Sequence, residues 1–136
     1  MQAEPSKANL CAGTLKRAEA GEVLILTSAL TLAEVLWMRG APPVTEDKAD
    51  LVRKFFRRSH IRLRNVTRVI AENAQDLVWV HGIKPKDAIH VATAIDAGAI
   101  ALETFDGDLL KKSGTVGTPA LLIRKPIAAA QKELFP

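Results

Sequence analysis

Two short segments carry the side chains best suited to chemistry. The first is Lys86-Asp87-Ala88-Ile89-His90-Val91-Ala92-Thr93-Ala94, and the second is Thr104-Phe105-Asp106-Gly107-Asp108. Asp87 falls at an expected helix start, while Asp106 and Asp108 fall where an apolar strand runs out. Carboxylates at the ends of neighbouring elements can converge, and converging carboxylates suit a hard divalent cation. Glu34 joins them as a candidate, since it lies on the helix that follows Thr27-Ser28 at the end of another apolar run. In parallel sheets ligands bind beyond the carboxyl ends of the strands, which would turn these acids toward one cleft.

Each candidate also has a plainer reading. Thr31-x-x-Glu34 has the form of a capping box, in which each side chain bonds the other's backbone amide. Asp87, two residues after Pro85, would be favoured at a helix start by the dipole alone, by about 0.3–1 kcal/mol. Asp106-Gly107-Asp108 suits a turn. It also resembles the acidic strand end of an aspartate-nucleophile phosphatase, but such a motif belongs near an N-terminus and needs a further Lys and Asp downstream. His90 lies one turn after Asp87 on the same face, where a hydrogen bond to a neighbour is expected rather than a ligand or base. His60 and His81 show no pattern. Trp37 and Trp79 read as core or as partner surface.

The elements that would position these residues are punctuated by glycine. Gly21, Gly40, Gly82 and Gly98 each follow a stretch of helical character, as left-handed caps do. Helices are expected over residues 6–20, from 29 to before 40, over 45–59, over 67–81 and from 85 to before 98. In the third, Leu51, Val52, Phe55 and Phe56 would face inward. In the fourth, Val66, Val69, Ile70, Ala74, Leu77 and Val78 share a face. Between the helices lie apolar runs at residues 23–26, 61–63, 99–102 and 120–123, with the character of buried parallel strands. The alternation gives an α/β fold, a three-layer α/β/α sandwich around a mainly parallel sheet. Residues 41–43 form an interhelix turn, and residues 126–136 a C-terminal tail.

Composition narrows the remaining choices. A chain of 136 residues is one domain by length. The 19 Lys and Arg outweigh 15 Asp and Glu, a net charge of +4 that is compatible with a polyanionic partner without requiring one. Six of those basic residues, Arg53, Lys54, Arg57, Arg58, Arg62 and Arg64, stand in one short stretch that would suit phosphate contacts or simply a solvated helix face. A single cysteine, Cys11, excludes an intrachain disulfide and is expected as a small buried hydrophobe. It also suggests a reducing, cytoplasmic setting. No apolar run approaches the roughly 20 residues of a membrane span, and no secretory signal pattern is present.

The segments Leu26-Thr27-Ser28-Ala29-Leu30-Thr31-Leu32-Ala33-Glu34-Val35, Asp87-Ala88-Ile89-His90-Val91-Ala92-Thr93-Ala94 and Thr104-Phe105-Asp106 resemble, in order and spacing, the motifs of PIN-domain nucleases. The resemblance covers nearly the whole chain. It implies a metal-dependent ribonuclease, with Glu34, Asp87 and Asp106 as catalytic acids that hold Mg²⁺ or Mn²⁺. Asp108 would be accessory, with Ser28 and Thr104 as polar helpers. It further implies RNA as substrate, with Arg53, Lys54, Arg57 and Arg58 as candidate contacts. A toxin role of the VapC type, an antitoxin partner and a homodimer follow from the same resemblance.

One departure bears on these expectations. The family begins with a central strand that ends in an acid, and Met1-Gln2-Ala3-Glu4-Pro5-Ser6 already resembles the region after it. The single PIN-like domain over residues 1–136 is therefore expected to be N-terminally truncated, lacking that strand and one ligand. The flanking strands would then pair directly or recruit another chain. This motivates an alternative, a catalytically incomplete PIN-like binding protein that self-associates or docks a partner. A third possibility is a metal-dependent phosphohydrolase acting on small esters.

Overall fold

The structure is a computed structural model that describes residues 7–35 and 45–127. It is mixed α/β, in the order α1 (Lys7–Glu19), β1 (Ile25–Ser28), α2 (Leu30–Glu34), α3 (Glu46–Phe55), β2 (Ile61–Arg64), α4 (Arg68–His81), α5 (Pro85–Asp96), β3 (Ala101–Glu103), α6 (Gly107–Leu110) and β4 (Leu122–Arg124). The four strands are hydrogen-bonded as two pairs, β1 with β2 and β3 with β4. The rest of the second expected helix, Trp37, Gly40, the 41–43 turn and residues 128–136 of the tail lie outside the described residues. The chain divides into two compact units: Met1–Ile25 with Ile100–Pro136, and Leu26–Ala99. Among the described residues no helix is long and apolar enough to cross a membrane.

The unit Leu26–Ala99 is built on two helices with well-marked ends. The Thr67 side chain accepts from the Ile70 amide at 3.2 Å and starts α4. Gly82 ends it with a positive φ of 67°. The Ile83 amide then reaches back to the Leu77 carbonyl at 3.2 Å, closing the last turn in Schellman fashion. Pro85 opens α5 at a position where a missing amide costs nothing. The two helices pack through Ile70, Ala74 and Leu77 on α4 and Ala88, Val91, Ala92 and Ala94 on α5, all buried. Thr93 is buried with them, its hydroxyl satisfied by the Ile89 carbonyl at 2.7 Å.

In the other unit, β3 and β4 run parallel, with Ala101 opposite Leu122, Leu102 opposite Ile123 and Glu103 opposite Arg124. Helix α1 is tied to this ladder by polar contacts. Thr14 donates to Glu103 Oε1 at 2.7 Å, and Arg17 donates to Thr14 Oγ1 at 3.1 Å and to the Ile127 carbonyl at 2.9 Å. Ala18, Leu109, Val116, Leu121 and Ile123 form its buried apolar centre.

Several expectations shift. The first, third and fourth strands begin two residues later than their apolar runs, and the leading residues Val23, Leu24 and Ile100 are exposed. Strand β2 buries only Ile61, so it is not covered on both faces. Leu51 is 65% exposed and α3 has no buried residue, because Val52, Phe55 and Phe56 supply its partly covered side. Val69 is exposed at the edge of the face expected on α4. Trp79 is 77% exposed and is not core. Cys11 is exposed and not a buried hydrophobe, although it shares a helix face with the buried Ala18 seven residues on.

Candidate active site

The candidate acids in Leu26–Ala99, Glu34 and Asp87, lie on α2 and α5. The last residue of α2, Glu34, is partly buried, and its Oε1 lies 2.7 Å from Nε2 of His90 on α5. A carboxylate only accepts, so Nε2 is the donor of this bond. This contact spans 56 positions of sequence. It overturns the capping-box reading of Glu34. Ala29, the residue before α2, makes no side-chain cap bond, and the Thr31 hydroxyl pairs instead with that of Thr27 at 2.7 Å. Asp87 is half-buried in the first turn of α5 and lies one turn before His90 on the same helix face.

Asp106 and Asp108 belong to the other unit. Asp106 caps α6 by position, with an extended backbone, but its side chain makes no capping bond. Among the described residues its half-buried carboxylate has no hydrogen-bond or ion-pair partner. Asp108 is exposed in the first turn of α6.

The two polar helpers do matching local work. Ser28 is 1% exposed, and its Oγ accepts from the Leu30 amide at 3.1 Å. Thr104 Oγ1 accepts from the Asp106 amide at 3.1 Å. Each hydroxyl satisfies an amide two residues on and turns the chain from a strand end into a short helix. Both are thus engaged in shaping the backbone beside a candidate acid.

The donor chemistry of Glu34, Asp87, Asp106 and Asp108 is all carboxylate oxygen, the kind a hard divalent ion takes. Among the described residues no three His, Cys, Asp or Glu side chains are grouped so as to hold a metal ion. What the structure does bring together is the Glu34–His90 pair. Position along the chain gave no sign of that pair, since only the packing of α5 supplies the imidazole.

A family model described as PIN domain matches residues 7–114. The match spans most of the chain, which therefore belongs to the PIN-domain family, a family generally of nucleases. Neither the curated proteins nor the solved structures gave a match.

Proposed function

We propose that the protein is a ribonuclease of the PIN type that hydrolyses RNA phosphodiesters with Mg²⁺ or Mn²⁺. Glu34, Asp87 and Asp106 are the acids assigned to the ion and Asp108 is accessory. The observation that carries the reading is the family match over residues 7–114, within which all four acids fall. The bare, half-buried carboxylate of Asp106 supports it, because a group that caps nothing is left for an external ligand. In the same reading the chain is the toxin of a toxin–antitoxin pair, cytoplasmic, homodimeric, and held in check by an antitoxin protein. Arg53, Lys54, Arg57 and Arg58 supply charge toward RNA.

The test is direct. The purified chain is incubated with structured and single-stranded RNA, in Mn²⁺ or in EDTA. Cleavage should need the metal and should be lost in Asp87→Asn and in Asp106→Asn. Cleavage that survives Asp87→Asn removes the site assignment.

A second reading is a PIN-like protein that binds without cutting, by self-association or by docking a partner. Its specific support is that Glu34 is tied to His90 through one carboxylate oxygen, a contact that a purely structural role would also make. No cleavage together with no Mn²⁺ uptake would select this reading, and a concentration-dependent dimer by light scattering would support self-association.

A further inference from the structure

Residues 51–68 hold seven basic side chains and no acidic one. The structure sorts those seven into two sets. Three have local partners. Arg58 lies over the Phe55 ring, 5.4 Å from its centroid. Arg64 reaches Asp96 Oδ2 through Nε and Nη2, each at 2.9 Å. Arg68 pairs with Glu72 at 2.7 Å. The other four, Arg53, Lys54, Arg57 and Arg62, are exposed, and their side chains have no partner among the described residues.

Those four lie along one continuous piece of chain. Arg53 and Lys54 are in the last turn of α3. Arg57 follows in the turn, which is tight because the Ile61 amide donates to the Arg58 carbonyl at 3.1 Å. On β2 the buried Ile61 faces inward, so alternation turns Arg62 outward. Ion pairs for Arg64 and Arg68 and a ring contact for Arg58 account for the first set and leave the second unexplained.

We propose that this edge, the end of α3 with the following turn and β2, binds RNA through its phosphates, with Arg53, Lys54, Arg57 and Arg62 as the contacts. The choice of RNA rests on the ribonuclease reading above, which it deepens by naming the binding surface. Charge complementarity carries the rest. Three of the four are arginines, whose planar fork matches phosphate oxygens two at a time. A protein partner would want an apolar, charge-depleted centre, whereas here charge is the centre. Phe55 and Phe56 stack edge-to-face at 5.3 Å and are half-buried, so they offer no platform for bases. Binding here reads phosphate and not sequence.

The experiment measures fluorescence anisotropy of a labelled oligouridylate with the Asp87→Asn chain in EDTA, so that nothing is cut. Arg57→Gln with Arg62→Gln should weaken binding at least about tenfold at low salt. The slope of log affinity against log salt should fall by about 0.7 for each cation removed, as for single strands. Arg62→Gln alone should lower it by one such step. Arg68→Gln, equally exposed but paired, should change neither. An oligoadenylate should behave as the oligouridylate does. Unchanged affinity in the folded double variant overturns the proposal, as does polyglutamate competing as well as RNA. Binding that follows this pattern in a chain that never cleaves RNA would overturn the ribonuclease reading and leave this surface standing. Cleavage with an indifferent double variant would do the reverse.

Discussion

At the scale of single residues, the Glu34–His90 contact is the most consequential feature. A carboxylate held by an imidazole N–H is fixed in rotamer and direction, which is what an outer partner does for a metal-binding acid. Removing such a partner typically costs about 10–100-fold in metal affinity or activity. His90→Leu should therefore reduce Mn²⁺-dependent RNA cleavage by about that factor, while His90→Gln, which keeps a donor, should recover much of the loss. The discriminating measurement is single-turnover cleavage across a Mn²⁺ titration. A positioning role raises the Mn²⁺ concentration at half-maximal rate and lets Gln restore it. Equal damage from Leu and Gln would assign His90 to packing alone. Sequence spacing put His90 beside Asp87 and gave Glu34 a capping role. Neither inference pointed to the pair, because a contact between residues 56 apart is fixed by tertiary packing and not by local pattern.

At the scale of elements, the helix ends were legible because their chemistry is local. Thr67 before an apolar face, Pro85 in a first turn and glycine after a last turn each act within four residues. The strands were less legible. An apolar run shows where a strand is possible, but the ladder begins where a partner exists, and Ile100 is left 91% exposed ahead of β3. Two glycines make this scale testable. Gly82 has φ 67°, and a Cβ placed there would meet nothing within 4 Å. The cost of Gly82→Ala is thus purely conformational, about 1–2 kcal/mol for the left-handed region. A loss of unfolded-state freedom worth about 0.4–1 kcal/mol offsets part of it. Net destabilisation of about 1 kcal/mol should appear in the urea midpoint. Gly107, in α6, has equal space and no positive φ. Gly107→Ala should be neutral or stabilising by up to about 1 kcal/mol. If both variants lost stability equally, backbone conformation would not be the cause.

At the scale of the whole molecule, the candidate acids are read through their common effect on the folded chain. An ion that binds only the folded state stabilises it by RT ln(1 + [L]/Kd), about 2.7 kcal/mol at a hundredfold excess over Kd. For a chain of this length that corresponds to a rise in Tm of about 10 °C. The cleaner variant is at Asp106, whose side chain has no partner to lose among the described residues. In EDTA, Asp106→Asn should therefore melt close to the unaltered chain, and each variant's Mn²⁺ shift is read against its own melting point in EDTA. On adding Mn²⁺ the unaltered chain should gain stability, and under the proposed assignment each single variant should lose most of that gain. Exposed acids acting independently would instead give small, additive losses, with Asp108→Asn costing as much as Asp106→Asn. A Mn²⁺ shift that persists in both single variants would mean that the ion sits elsewhere on the protein, and the assignment of Asp87 and Asp106 to one metal would fail even if RNA were cleaved.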